Sequence, residues 1–293
     1  MGMFSMWVRL GVGLGVGLGV AGCALEASEE TTSQTQAAMT RYPTAFPADT
    51  TYGFQWTFHD YGTASYLFPG LPDPNLVGCA LVSVGGKFVN ANDKMRIIWG
   101  STSGWGAKGQ SGGGDPGLDA MCFQLNGAEL SVDQILDPAG GLPGPIPLKI
   151  GTRAAVSTDT CFLTGIKGVF NSFADNMVRL SINSGGQWQL DGATGIAAWA
   201  RCVSRPTDGA EATWHSYDRG LVMPPGTLTG EGSSGPHFCG LTRIHGTLGG
   251  GWSGTYVNPL PDDTTSWNYY LGGGANPFSL TPKPIGTSAR CIH

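Results

Sequence analysis

The residues able to do chemistry are few and scattered. Five histidines (His59, His215, His237, His245 and His293) stand at no spacing that would let two of them share a metal ion. His245 takes a repeat position held elsewhere by Gly85 and Lys167, so it reads as an exposed strand residue. Gly230-Glu-Gly-Ser-Ser-Gly235 misses the G-x-S-x-G spacing of a nucleophilic serine turn. Paired carboxylates for glycoside cleavage could come from Asp115 and Asp119 or from Asp262 and Asp263, a chemistry in which separation decides everything. Gly112-Gly-Gly-Asp-Pro-Gly-Leu-Asp119 offers oxygen ligands without the register of an EF-hand. The residues therefore call for no metal and no cofactor, and the reading leans away from catalysis.

Aromatic side chains are the richer resource, with nine tryptophans and eight tyrosines in a chain that holds 48 glycines. A flat ring can stack on the apolar face of a sugar while neighbouring amides hold its hydroxyls. Trp252, Asn258, Trp267, Asn268, Tyr269 and Tyr270 combine those parts and are the candidate ligand-binding residues. Trp188 and Trp199 fall inside a repeating pattern and read as core instead.

That pattern occurs three times, each copy between two cysteines: Cys79 to Cys122, Cys161 to Cys202, and Cys239 to Cys291. Counting from each opening cysteine, leucine stands at +2 (Leu81, Leu163, Leu241) and a β-branched residue at +5 (Val84, Ile166, Ile244). Glycine follows at +7 (Gly86, Gly168, Gly246) and a large apolar residue at +9 (Phe88, Phe170, Leu248). Alanine precedes each closing cysteine by two (Ala120, Ala200, Ala289). Short apolar runs between Gly, Asn, Asp and Ser clusters are strand-and-turn writing. In the second copy, Cys161 and Leu163 have one parity while Ile166, Gly168 and Phe170 have the other, a slip between +3 and +4 that predicts a β-bulge. Asp93 and Asp175 both stand at +14.

The fold class is therefore all-β: three tandem disulfide-bracketed antiparallel units, standing as beads or closed with pseudo-threefold symmetry. The expected divisions are 52–125, 126–205 and 206–293. Gln55-Trp-Thr-Phe-His-Asp-Tyr61 and Ala212-Thr-Trp-His-Ser-Tyr217 echo one another ahead of two units, and their histidines read as structural. Glu129–Leu136 does not match the echo and reads as one or two helical turns. One bridge per unit is the pairing the repeat favours, each worth up to about 4 kcal/mol by chain entropy. Bridges in small glycine-rich sheets indicate an oxidising compartment.

Cys23 lies outside the pattern. It follows Arg9 and an apolar run that ends in Val20-Ala21-Gly22, too short to span a bilayer and organised like an export signal. Val20-Ala21-Gly22-Cys23 resembles the lipobox of bacterial lipoproteins. The resemblance implies cleavage before Cys23, a lipid on its thiol, and attachment to the bacterial envelope at the outer membrane or cell surface. Residues 1–22 are then the signal and 23–51 a flexible tether too poor in apolar residues to fold. The bracketed units also loosely resemble the glycine-rich β repeats of secreted bacterial proteins, a likeness that implies no activity.

Only 13% of the chain is charged and its net charge is −5, with no basic run, so a nucleic-acid partner is not expected. The expected function is a lipid-anchored surface protein that binds a ligand, most plausibly glycan, or adheres. The alternatives are a hydrolase of extracellular polymer and a purely structural envelope component.

Overall fold

The computed structural model describes residues 50–58, 64–68, 77–100, 104–110, 115–124, 134–136, 155, 157–205, 208–216, 226–228, 238–261, 267–274 and 285–292. Cys23, the signal and residues 23–49 of the expected tether, as well as His59, His237, His293, Gly230–Gly235 and Asp262–Asp263, lie outside them, whereas Thr50 and Thr51, expected to end the tether, begin a strand. No helix occurs among the described residues.

The first cysteine-bracketed segment and the strands ahead of it contain β1 (Thr50–Phe58), β2 (Ala64–Phe68), β3 (Gly78–Lys87), β4 (Lys94–Gly100), β5 (Gly104–Gln110) and β6 (Asp115–Gln124). The second contains β7 (Gln134–Leu136), β8 (Thr160–Lys167), β9 (Asn171–Ile182), β10 (Trp188–Gly192) and β11 (Ala197–Val203). The third contains β12 (Asp208–Ser216), β13 (Gly226–Leu228), β14 (Phe238–Thr247), β15 (Gly249–Pro261), β16 (Trp267–Gly274) and β17 (Ile285–Ile292). Gln134–Leu136 is thus a strand, paired with β11, and not part of a helical turn. It pairs with a closing strand as β1 and β12 do, so it fills the place for which the sequence echo showed no third member.

Three antiparallel sheets result. The first has the order β1-β6-β3-β15-β16-β13, the second β2-β5-β4-β8-β11-β7, and the third β10-β9-β14-β17-β12. Each opening strand pairs on one side with the closing strand of its own segment. On its other side it pairs with a strand from a different segment: β3 with β15, β8 with β4, β14 with β9. The segments are therefore not beads, because every sheet is shared between two of them.

The repeat's signature residues account for this. The ladder between opening and closing strands skips one residue at +3 in every copy, Val82, Thr164 and Thr242, which is the expected bulge. A bulge turns and twists the strand, freeing its second half to meet a new neighbour. Gly86, Gly168 and Gly246 have φ of 91°, 126° and 105°, a region costly for any side chain. At Gly168 a Cβ would also lie 2.7 Å from the Gly195 carbonyl oxygen. Two residues on, the +9 residues bond to one another in a closed ring. Phe88 N–H donates to the Leu248 carbonyl (2.9 Å), Leu248 N–H to Phe170 (2.8 Å), and Phe170 N–H to Phe88 (2.9 Å). All three side chains are fully buried, and Phe88 and Phe170 meet edge to face at 5.8 Å.

At the opposite end of the opening strands, Phe123, Phe162 and Phe238 form a second triangle, with centroids 4.3, 5.0 and 6.1 Å apart. These rings come from non-equivalent positions. Where Phe162 follows its opening cysteine, the third copy has Gly240, whose Cβ would strike the Phe162 ring at 2.6 Å. The three disulfides join directly opposite residues, Cys79–Cys122, Cys161–Cys202 and Cys239–Cys291, as the repeat predicts.

Candidate functional site

One row of residues crosses each sheet just past the bulge, through the residue at +4 of the opening strand. In the second sheet it reads Ile135, Trp199, Gly165, Arg96, Lys108, Ala64. In the third it reads Thr213, Ser288, Arg243, Arg179, Asp191. In the first it reads Trp56, Asp119, Ser83, Tyr256, Gly272. The rows share a ladder position and differ in chemistry.

The second row is a stack. The Arg96 guanidinium lies 5.1 Å from the Trp199 ring centre, across Gly165, where a Cβ would lie 2.9 Å from the Cα and Cβ of Arg96. Glycine is needed there for this approach. The third row is a polar network: Asp191 takes hydrogen bonds from Ser181 and Gln189 and faces the Arg179 Nε at 3.4 Å, while the Thr213 and Ser288 hydroxyls meet at 2.9 Å. Beside it, Arg290 reaches Glu211 at 3.6 Å and lies 5.1 Å from the Trp188 ring centre. Arg201 lies over Trp105 in the same manner, at 5.0 Å. These two arginines stand just before their closing cysteines, where the first copy has Met121.

The first row differs in kind. Asp119 is 2% exposed, bonded to Ser83, and its Oδ1 has no hydrogen-bond partner. Burial pushes its carboxyl well above the usual carboxylate range, against the smaller opposing pull of the Ser83 hydrogen bond. Burial also raises the Tyr256 phenol. This row lies on the face opposite the fully buried pairs Val84–Leu118 and Val84–Thr255. One step further along the strands, Gly117, Gly85, Gly254 and Gly274 stand side by side on four adjacent strands, leaving a strip of bare backbone beside the buried acid. A Cβ at Gly254 would lie 3.2 Å from the Gly85 Cα, so tight strand packing also requires glycine there.

Five of the six candidate ligand-binding residues lie in the hairpin β15–β16 at paired positions. Asn258 stands opposite Tyr270, Leu260 opposite Asn268, Pro259 opposite Tyr269 and Pro261 opposite Trp267. By the alternation of a strand, Asn258, Asn268 and Tyr270 share a face with Tyr256 and hence with the Asp119 row. Trp267 and Tyr269 share the face of fully buried Val257. Trp252 lies where the β15–β3 register shifts between Gly250 and Gly254.

Other expectations change. His245 is 3% exposed, not an exposed strand residue, and stands between Met177 of β9 and Gly286 of β17. Trp56 stands opposite Asp119, three residues before Cys122, whereas Trp214 stands opposite Thr287, four before Cys291, so the echoed tryptophans hold different ladder positions. Asp93 and Asp175 are not equivalent either. Asp93 is fully buried and takes the Val89 and Asn90 N–H groups, but in the second copy it is Asn176 that takes two N–H groups, those of Asn171 and Ser172. Trp188 and Trp199 are buried at 0% and 8%, as read, and the Trp188 indole donates to the Asp159 carbonyl at 2.8 Å. Among the described residues no cluster of His, Cys, Asp and Glu could hold a metal ion.

Asp119 is the residue that sequence reasoning undervalued, naming it as half of a carboxylate pair and as the end of an oxygen-rich run. Its partner there, Asp115, lies four residues along the same strand, roughly 13 Å away at the backbone. Retaining and inverting pairs stand about 5–9.5 Å apart. No protein-family model matches this chain, and no curated protein matches it.

Because folding raises the Asp119 pKa, the protonated acid is the form the fold favours. Its contribution is full below the unfolded carboxyl pKa of about 4 and is lost as pH rises toward the folded value. Asp119→Asn, which keeps the shape without the charge, should therefore melt at a higher temperature than wild type at pH 8. The gap should close near pH 3. Equal melting curves at both pH values would mean that Asp119 ionises as freely in the fold as outside it.

Proposed function

We propose that this protein is an exported, lipid-anchored envelope protein that binds a neutral glycan, without catalysis, on the face of its first sheet that carries Asp119. The observation that carries the reading is the unpartnered Oδ1 of buried Asp119. A buried polar atom left unsatisfied costs about 1–3 kcal/mol, and such groups are rare unless something else completes them. A sugar hydroxyl can both donate to and accept from a neutral carboxyl. On β15 and β16, Asn258 and Tyr270 hold the ladder positions next to Tyr256 and Gly272 of the Asp119 row, and the glycine strip lies along the row's other side as a surface of bare backbone. The lipid anchor rests on Val20-Ala21-Gly22-Cys23, and three disulfides agree with export.

The raised pKa of Asp119 also suits a general acid, which favours hydrolysis as the second reading. Its distance from Asp115 supports binding over that reading. Turnover of a neutral polysaccharide by the wild type, abolished in Asp119→Asn, would reverse the order.

Titration of the full-length protein against neutral oligosaccharides should give a binder whose affinity falls about threefold to tenfold in Asn258→Ala and in Tyr270→Ala. Melting temperatures should stay near wild type in both. Trp267→Ala should instead lower the melting temperature and leave affinity nearly unchanged. Binding indifferent to Asn258 and Tyr270 would remove the site.

For the anchor, Cys23→Ser should abolish metabolic labelling with a palmitate analogue and leave a precursor uncleaved after Gly22. Labelling that survives the change would exclude Cys23 as the lipid carrier.

A further inference from the structure

The second sheet gathers a cluster that no run in the sequence announces. Lys94 stands directly opposite Lys167, and Arg96 directly opposite Lys108, on the three adjacent strands β5, β4 and β8. By strand alternation all four lie on one face, opposite that of buried Met95, Ile97, Ala107 and Ile166. Lys108 is exposed, and Lys94, Arg96 and Lys167 are half-buried. They are four of the chain's 16 basic residues, in a protein whose net charge is −5.

Like charges directly opposite one another on a sheet are destabilising, and this sheet has two such pairs side by side. No carboxylate occupies the described ladder positions on this face: the flanking residues are Gln110 opposite Lys94, Ala197 opposite Lys167 and Trp199 opposite Gly165. Asp93, next in sequence to Lys94, has its Oδ2 engaged by the Val89 and Asn90 N–H groups in the turn. Burial lowers the Lys94 pKa, and the nearby positive charges of Lys108, Lys167 and Arg96 each lower it further. The equivalent places in the other sheets hold no such cluster. Where Lys167 and Lys94 stand, the first sheet has Gly85 and Gly254 and the third has His245 and Met177.

We propose that this face binds a chain of anionic sugars, with Lys94, Arg96, Lys108 and Lys167 receiving its carboxylate, phosphate or sulfate groups. The cations form a staggered line across three strands, Lys167, Lys94, Arg96, Lys108, with steps of roughly 5 Å across strands and about 7 Å along β4, the scale of neighbouring charged groups on one polymer chain. The Arg96 guanidinium lies over the Trp199 ring, 5.1 Å from its centre, a contact that limits the freedom of its donor fork. A chain is favoured over a membrane because these positions lie in the middle of a six-stranded sheet and three of the four are half-buried. A narrow polymer can reach recessed charges that a broad layer of headgroups would pass over. The site is separate from the Asp119 face, and either can fail without the other.

The test uses the oxidised full-length protein with four probes: polygalacturonate, dextran, phosphatidylglycerol vesicles and single-stranded DNA. Polygalacturonate should bind and dextran should not compete with it on this face. Its affinity should fall steeply between about 50 and 300 mM salt, as screening requires. Lys94→Gln with Lys167→Gln should weaken it roughly tenfold, since charge-assisted contacts are the strong ones. The same double variant should melt no lower than wild type, because it removes an opposed like-charge pair. Absence of polygalacturonate binding, or binding unchanged in the double variant, would overturn the proposal. So would tighter binding to vesicles or to DNA that the double variant abolishes, because the face would then belong to that partner.

Discussion

Three backbone hydrogen bonds hold this architecture closed. Phe88, Phe170 and Leu248 each donate to one of the other two and accept from the remaining one, so the ring has no end. Every sheet then borrows strands across segment boundaries, and no segment can be withdrawn without breaking two sheets. Buried amides need partners, and here the partners are each other. The glycines at +7 follow from this ring, because the chain must turn through positive φ to bring the +9 amide to its neighbour. The bulges at +3 stand just ahead of the residues through which each opening strand pairs with its foreign neighbour, while the ladder with its closing strand continues past them. The second Phe triangle, around Phe238, packs the other end with rings drawn from unlike positions.

A frame closed at both ends leaves the middle of each sheet free to vary. The row through the +4 residues shows how far this goes: a buried acid with a phenol in the first sheet, a stacked guanidinium in the second, and an Asp–Arg network in the third. None of these substitutions touches a cysteine, a +7 glycine or a +9 residue. Shared backbone features at +3, +7 and +9 and chemical difference at +4 are therefore compatible. The proposed neutral-glycan face and the proposed anionic face are two uses of one ladder position and its neighbours.

Much of the frame was legible in the order of residues. Cys161 and Ile166 differ in parity yet stand opposite Cys202 and Ala198 on one face of β11, and that slip located the bulge, while the repeated glycine at +7 falls where φ is positive. The bridges followed from the bracketing. Parity, however, tells which face a residue is on and not which strand lies next to it. For that reason the exchange between segments was invisible, and His245, flanked on both sides by ladder neighbours, was misread as exposed. Gln134–Leu136 carries too few residues to show a period at all, and only its pairing with β11 identifies it. The environment of Asp119 depends on burial and on Ser83, which lies 36 positions earlier in the chain, and no local pattern reports it. The line of cations is hidden for the same reason, since Lys94 and Lys167 meet only because segments exchange strands.

Closure is measured most directly by native-state hydrogen exchange at three amides. If the ring holds the whole assembly, the Phe88, Phe170 and Leu248 N–H groups should exchange together, at the slowest rate in the molecule, and with the free energy of global unfolding. One of them exchanging much faster than the other two, through a local opening that leaves the remaining sheets protected, would contradict closure and return the segments to independent units.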